Sequence, residues 1–258
     1  MFIEGRIMIL LFLILIAASM YYYIRRAQAG HIPDVRPIAG LDVLREVVGR
    51  ATEMGRPVFM TPGGGDVTDA SSVETLAGLA ILDEVASLTA EYDIPLRVTV
   101  RRPNIYPIAQ EIVQQSYLRA GKPEAVTPEM VQFLSDVQFA WAAGTLSIIR
   151  REQCAVAVMT GFFQAESLLL AEGANQVGAV VLSGAARLFQ IPFFVAASDY
   201  TLIGEELLVA GAYLSENPVQ LGSLAGQDVA KVAATLLTLA GAILATFGSN
   251  ALREIMRI

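Results

Sequence analysis

The sequence has one histidine and one cysteine among its 258 residues, which removes several classes of chemistry. A zinc centre or a disulfide framework draws on more of these residues than the chain contains. His31 lies beside a linker, where a surface position is expected, and Cys154 begins an apolar run typical of a small buried side chain. We therefore expect no metal site, no cofactor and no catalytic residue.

Charge is also scarce, since Asp, Glu, Lys and Arg make up 17% of the chain and apolar residues 54%. Average soluble domains carry about 25% charged residues. The composition excludes a disordered chain and an ordinary soluble enzyme surface. Residues 27–227 contain 12 Lys and Arg against 22 Asp and Glu, a net charge of -10. This acidic region should repel nucleic acid, so no nucleic-acid partner is expected.

Two long uncharged runs lie near the ends of the chain. Residues 7–24 form the first, and Tyr21 to Tyr23 followed by Arg25 and Arg26 are typical of a helix edge at the lipid headgroups. As a helix this run is about 27 Å long, close to the ~30 Å hydrocarbon thickness. A cleaved signal peptide is the competing interpretation, because residues 27–29 read Ala-Gln-Ala.

The second run, residues 232–248, is just long enough to span a bilayer. Its small residues recur at spacings of three and four, which places them on one helix face. Such faces let membrane helices approach closely, although Ala and Gly are also common in spans for other reasons. The candidate packing residues are Ala234, Thr238, Gly241, Ala245 and Gly248.

The spans divide the chain into three parts, residues 1–29, 30–227 and 228–258. The paired arginines beside the first span favour a cytoplasmic central domain under the positive-inside rule, although basic residues on the two sides are nearly balanced. Residues 30–41 and 216–227 are the expected linkers, because Gly, Pro and polar residues are frequent in them.

Short apolar runs alternate with helical patterns through the central domain. The expected strands are 58–61, 96–100, 155–160, 179–183 and 193–197. The expected helices are 42–54, 71–92, 107–120, one starting at Thr127-Pro128-Glu129, 136–151, 165–174 and 201–215. Ser71 and Glu74 have the spacing of a capping box. Uninterrupted apolar strands between helices predict a Rossmann-like three-layer α/β domain with a mostly parallel sheet.

Several segments resemble an uncharacterised family of prokaryotic membrane proteins known only as a domain of unknown function. The segments that carry the resemblance are 31–38, 49–57, 106–112, 190–207, 222–224 and 226–228. The resemblance implies a membrane-anchored α/β protein. It implies no catalytic or binding residue.

Ligands of parallel α/β sheets bind beyond the carboxyl ends of the strands. The candidate ligand-binding residues there are Gly63, Gly64, Gly65, Arg101, Arg102 and Asp199. The glycine turn could present N–H groups to a phosphate, although it matches neither GxGxxG nor the P-loop pattern and Asp66 follows it. The arginines could instead form ion pairs, and Asp199 could cap a helix.

Two functions from different classes follow, together with a weaker third. The first is a membrane-anchored homo-oligomeric structural or scaffold protein. Its expected partners are the lipid bilayer and other copies of itself, with a larger membrane complex as a further option. The alternative is a membrane-tethered Rossmann-like domain that binds a nucleotide or small anion, as a sensor or an enzyme. Transport would need a ring of subunits, because two spans without buried charge cannot form a pore.

Overall fold

The computed structural model describes residues 7–247, with side chains from residue 9. They divide into an α/β unit, Pro37–Leu214, and a helical unit formed by the segments before and after it. The helices and strands of the α/β unit and its flanks are, in chain order, α1 (Ile7–Gln28), α2 (Ala39–Asp42), α3 (Leu44–Met54), β1 (Val58–Gly63), α4 (Ser72–Glu91), β2 (Leu96–Val100), α5 (Ile105–Arg119), a 3₁₀ turn (Pro123–Ala125), β3 (Val131–Phe133), α6 (Gln138–Glu152), β4 (Val156–Phe162), α7 (Glu166–Asn175), β5 (Val180–Ala185), α8 (Ile191–Ala197), β6 (Tyr200–Ile203), α9 (Glu205–Leu208), α10 (Ala210–Ser215) and α11 (Pro218–Thr246).

The α/β unit is built on one sheet of six parallel strands in the order β3-β2-β1-β4-β5-β6. This is the doubly wound order of Rossmann folds, in which the direction of winding changes between β1 and β4. Every residue of β1 is buried, as expected for a strand with helices on both faces. The expected α/β class with a parallel sheet is confirmed.

Alternate side chains of each central strand enter two separate hydrophobic cores. Val58 and Met60 of β1 pack with α3, α4 and α5 in the larger core, whereas Phe59 faces the opposite side. There it packs with Trp141 of α6 and Phe194 of α8, and with α7. The period of two along a strand thus produces three layers, with α6, α7 and α8 on one face.

Four expectations for individual elements of the α/β unit are wrong. Residues 193–197, expected as a strand, lie in helix α8. The sixth strand, Tyr200–Ile203, overlaps the start of the expected helix 201–215. Thr127-Pro128-Glu129 does not start a helix, because the Met130 amide donates to the Thr127 carbonyl in a turn and strand β3 follows. Ser71 precedes α4 as expected but makes no side-chain cap, and Glu74 bonds elsewhere.

The helical unit contains two helices that are long and apolar enough to cross a membrane, residues 9–28 and Pro218–Thr246. The linker expected at 216–227 is mostly helical, since α11 starts at Pro218 with the Asn217 side chain accepting from the Val219 amide at 2.9 Å. The glycines of this segment let α11 pack closely against α1. A Cβ on Gly226 would lie 2.5 Å from the Met20 Cα atom, so the two backbones are in contact there.

Candidate functional site at the carboxyl edge of the sheet

The glycine turn and the arginines that follow β2 meet at the carboxyl edge of the sheet. Arg101 lies beside Gly64, whose carbonyl accepts from the Arg101 Nη1 atom at 3.5 Å. This edge includes the switch point, the position between β1 and β4 where the direction of winding changes and where Rossmann folds bind their ligands. The structure therefore brings together the glycines and Arg101 in the region expected from the sequence.

The glycine turn is buried and closed by contacts with β4. The Gly64 amide donates to the Phe162 carbonyl at 2.7 Å, which continues the β1–β4 pairing past the end of β1. Gly63 has φ +85°, and a Cβ there would lie 2.5 Å from the Phe162 carbonyl oxygen. Glycine is required because the backbone of β4 takes the space of a side chain. Strands β1 and β4 therefore remain paired at the switch point.

Three backbone amides between β1 and α4 are occupied by side chains of the loop itself. The Asp66 amide donates to the Ser71 Oγ atom at 3.0 Å, and the Thr68 and Ser71 amides donate to the carboxylates of Asp66 and Asp69. The hydrogen bond from the Ser71 hydroxyl lowers the pKa of Asp69. A phosphate needs such amides free. In this structure a hydroxyl and two carboxylates hold these three.

A buried carboxylate that is not among the candidate ligand-binding residues lies beside Gly64. Glu166, the first residue of α7, is fully buried, and its Oε2 atom accepts from the Gln138 Nε2 atom. Among the described residues none is a hydrogen-bond partner of its Oε1 atom. A Cβ on Gly64 would lie 3.5 Å from that oxygen and 3.1 Å from the Arg101 Nη1 atom. Glu166 thus places a negative charge at a helix N-terminus, where a bound anion would otherwise lie.

The Glu166 carboxylate is one of several charges that act on the pKa of Arg101. Burial lowers the pKa of Arg101, as does the adjacent Arg102, whereas Glu166 and Asp136 act in the opposite direction. The Arg101 Nε atom also donates to the Asp136 carbonyl at 3.0 Å. Arg101 is therefore held by the protein's own acceptors, while the Arg102 Nε atom has no acceptor among the described residues.

Arg187, which follows β5, closes the same edge from the other side. Its Nε atom donates to the Glu74 carboxylate at 2.6 Å, and its guanidinium stacks 4.7 Å from the centre of the Phe162 ring. Glu74 is nearly buried, so Arg187 balances a carboxylate that would otherwise lie unpaired. The sequence spacing had predicted a capping role for Glu74. Its partner Arg187 lies in the segment between β5 and α8, so the two residues meet only in the folded domain.

Asp199 lies at the amino ends of the parallel strands, whereas the other five candidate ligand residues lie at the carboxyl ends. It precedes β6, and its carboxylate accepts from the Val181 amide at 2.8 Å near the start of β5. The expectation placed Asp199 after a strand at 193–197, but this segment is helix α8. Asp199 therefore begins a strand and secures its pairing with β5.

The candidate packing residues of α11 differ in burial. Ala234 and Gly241 are half-buried, Thr238 and Ala245 are exposed, and Gly248 lies outside the described residues. Backbone contact of α11 with α1 occurs earlier in the helix, at Gly222 and Gly226. The Ser19 hydroxyl donates to the Gly226 carbonyl at 2.9 Å, which adds a polar bond to this contact.

Within residues 7–247, no group of three or more His, Cys, Asp or Glu side chains has an arrangement that could hold a metal ion. Cys154 is buried, and burial raises the pKa of its thiol to about 12.

Comparison with known proteins gives a family. The model of a domain of unknown function, DUF6754, matches residues 1–256. The chain belongs to this family. The resemblance that the sequence segments carried is thereby confirmed, and the family carries no assigned chemistry. Searches of curated proteins and of solved structures gave no match.

Proposed function

We propose that this chain is a membrane-anchored assembly protein, in which two terminal helices hold an acidic α/β domain at the cytoplasmic face of a bilayer. The domains of neighbouring copies associate and form a homo-oligomeric scaffold, alone or within a larger membrane complex. This proposal requires a large apolar surface on the domain, a closed carboxyl edge and helices able to span the bilayer.

The observation that carries the proposal is the set of large apolar side chains that the α/β domain exposes. Six of them lie on the adjacent helices α7 and α8 and on the turn before α8, and Leu188 is 86% exposed. We call these six the α7–α8 patch: Leu168, Leu169, Leu188, Phe189, Phe193 and Val195. Residues 188–198 contain no charged side chain. Surfaces of this kind mark sites of protein or membrane association.

The size of the patch is sufficient to matter energetically. The six exposed fractions add up to about three fully exposed side chains, and burying one contributes about 1.5–3 kcal/mol. Complete burial of the patch would contribute about 5–9 kcal/mol. A micromolar dissociation constant corresponds to about 8 kcal/mol of net binding free energy, which is what remains once the loss of translational and rotational freedom is subtracted. Anchoring all copies in one bilayer reduces that cost.

Size and orientation give the first test. The full chain, extracted in mild detergent, should sediment as a particle containing several 27.6 kDa copies. A monodisperse monomer over the micromolar range would overturn the scaffold. Labelling of a cysteine introduced at the exposed residue Gln115 of α5, in intact cells and in inverted vesicles, should place the domain in the cytoplasm. Labelling only from outside would reverse the orientation.

A second candidate is the binding of a nucleotide or small anion at the carboxyl edge, which the strand order favours. It requires the loop between β1 and α4 to release its amides and Arg101 to leave its present acceptors. Calorimetric titration with ATP, NAD and inorganic phosphate should then show saturable binding that Arg101→Ala abolishes. Absence of heat with all three would remove this candidate.

A further inference from the structure

The α/β domain differs in shape between the side of edge strand β6 and the side of edge strand β3. Helices α7 and α8 pack together on the side of edge strand β6, where the Asn175 side chain of α7 donates to the Ala197 carbonyl of α8 at 2.8 Å. The turn that leads into α8 projects Leu188 and Phe189, 86% and 54% exposed. At this edge the domain therefore presents a protruding apolar feature.

The side of edge strand β3 presents a concave feature. Beside edge strand β3 lies a cavity of about 440 Å³, which we call the β3 groove. It is lined by Pro103, Tyr106, Pro128, Val131, Gln132 and Phe133. A second cavity of about 380 Å³ shares Pro128 and Val131 with it. A cavity of about 150 Å³ holds a benzene ring, so the β3 groove has room for a phenylalanine ring and a leucine side chain together.

We infer that the α7–α8 patch of one copy docks into the β3 groove of a second copy, so that the domains associate head to tail. This inference rests on the proposed function and names the surfaces through which the oligomer forms. A contact between two different surfaces is heterologous, and it produces a closed ring or an open row of copies. In a two-fold contact the same patch would instead meet itself.

The exposed area of the α7–α8 patch is consistent with this arrangement. A fully buried aromatic side chain covers about 150–250 Å². Four of the six patch residues are smaller than an aromatic residue, so the lower figure applies, and their exposed parts together offer about 500 Å². A stable interface buries about 800 Å² on each partner, with a polar rim around an apolar centre. The patch supplies that centre, and it reaches the upper limit of what monomeric proteins expose.

Both edge strands are short, which favours contact through side chains over extension of the sheet. Strand β3 has three residues and β6 has four. Short edge strands offer few unpaired backbone groups to a neighbouring sheet. Phe133, the last residue of β3, is 41% exposed at the rim of the groove and can pack against an incoming Phe189.

The test uses three variants of the full chain, one that damages the patch and two that damage the groove. Leu188→Asp places a charge on the patch, and Phe133→Asp places one on the groove. Gln132→Trp fills the groove without a charge and serves as the second groove variant. Leu76→Asp is the matched control, because Leu76 on α4 is 57% exposed and lies in neither surface. Masses are read by native mass spectrometry in detergent.

Each surface variant alone should be monomeric, because every copy then lacks the same half of the contact, while Leu76→Asp retains the wild-type mass. An equimolar mixture of Leu188→Asp and Phe133→Asp should give 1:1 heterodimers, since one intact patch meets one intact groove, and association should stop there. The same result is expected with Gln132→Trp.

Three results would overturn the inference. Oligomers that survive both substitutions would place the interface elsewhere. Dissociation by Leu188→Asp but by neither groove variant would indicate a two-fold or lipid contact of the patch. A mixture that forms no heterodimer would exclude head-to-tail docking. In all three the wild-type chain is still oligomeric and the proposed function stands, whereas a monomeric wild-type chain would refute the proposed function itself.

Discussion

The closure of the β1–β4 switch point by backbone contacts can be tested with a single methyl group. Gly161 in β4 has φ +128°, and a Cβ there would lie 2.2 Å from the Pro62 carbonyl oxygen and 2.9 Å from its carbon. The obstacle is backbone, so no side-chain rotation relieves it. Gly161→Ala must separate β1 from β4 or distort both strands.

The cost has two parts. A non-glycine residue in such a backbone conformation costs about 1–3 kcal/mol, and forcing extra volume into a packed interior costs about 1–3 kcal/mol. We therefore expect Gly161→Ala to lower the free energy of unfolding by about 4 kcal/mol, a large part of the 5–15 kcal/mol typical of a domain.

The matched control is Gly49→Ala, the same chemical change in helix α3. No atom would lie within 4 Å of a Cβ on Gly49, and alanine is favoured over glycine in a helix by about 0.5–1 kcal/mol. The two substitutions should therefore change stability in opposite directions.

The single tryptophan makes the measurement specific to the domain. Trp141 is fully buried and its ring centroid lies 6.3 Å from that of Phe163, so its emission shifts when this core opens. Urea titration of the full chain in mild detergent, followed by this emission, gives both free energies. A change of less than 1 kcal/mol for Gly161→Ala would show that β1 and β4 are not held together as described.

Two further predictions concern the buried thiol and the paired helices. The folded Cys154 thiol keeps its proton up to a pKa of about 12, whereas the unfolded thiol ionises near 9.0. The thiol's contribution to stability is therefore complete below about pH 8 and falls by about 1.4 kcal/mol at pH 10. The same urea titration should show that Cys154→Ala removes this loss. Gly226→Ile should push α11 away from α1 and lengthen the distance between spin labels at the exposed residues Tyr22 and Val219. Thr238→Ile, at an exposed position, should leave that distance unchanged, and an unchanged distance in both variants would contradict the close packing.

Most of the sheet could be predicted because its strands are buried on both faces. Four apolar runs between helical patterns correspond to β1, β2, β4 and β5, and their continuity indicated a parallel sheet. Strand β3 has three residues and its last one is exposed, which leaves no periodic signal. The run 193–197 is equally apolar as a strand or as a helix, and periodicity over so few residues does not distinguish them.

The candidate site shows where the sequence was insufficient. Gly64 and Arg101 follow neighbouring strands, so their proximity follows from the topology of a parallel sheet. The pairing of Glu74 with Arg187 joins residues 113 positions apart, and local spacing indicated a cap instead. Glu166 has an ionisable side chain, a type that is usually exposed, yet it is fully buried in the structure. Burial of that carboxylate depends on α6 and α7 meeting at Gln138, which no local pattern encodes.

The central claim is that copies of this chain associate at a membrane, and counting copies in native lipid tests it most directly. The chain, carrying one fluorophore at its end, is extracted from its own membranes into polymer-bounded lipid discs without detergent and bleached molecule by molecule. The account predicts that most discs bleach in two or more steps, and that Leu188→Asp reduces the number. Single-step bleaching of nearly all wild-type discs would contradict it.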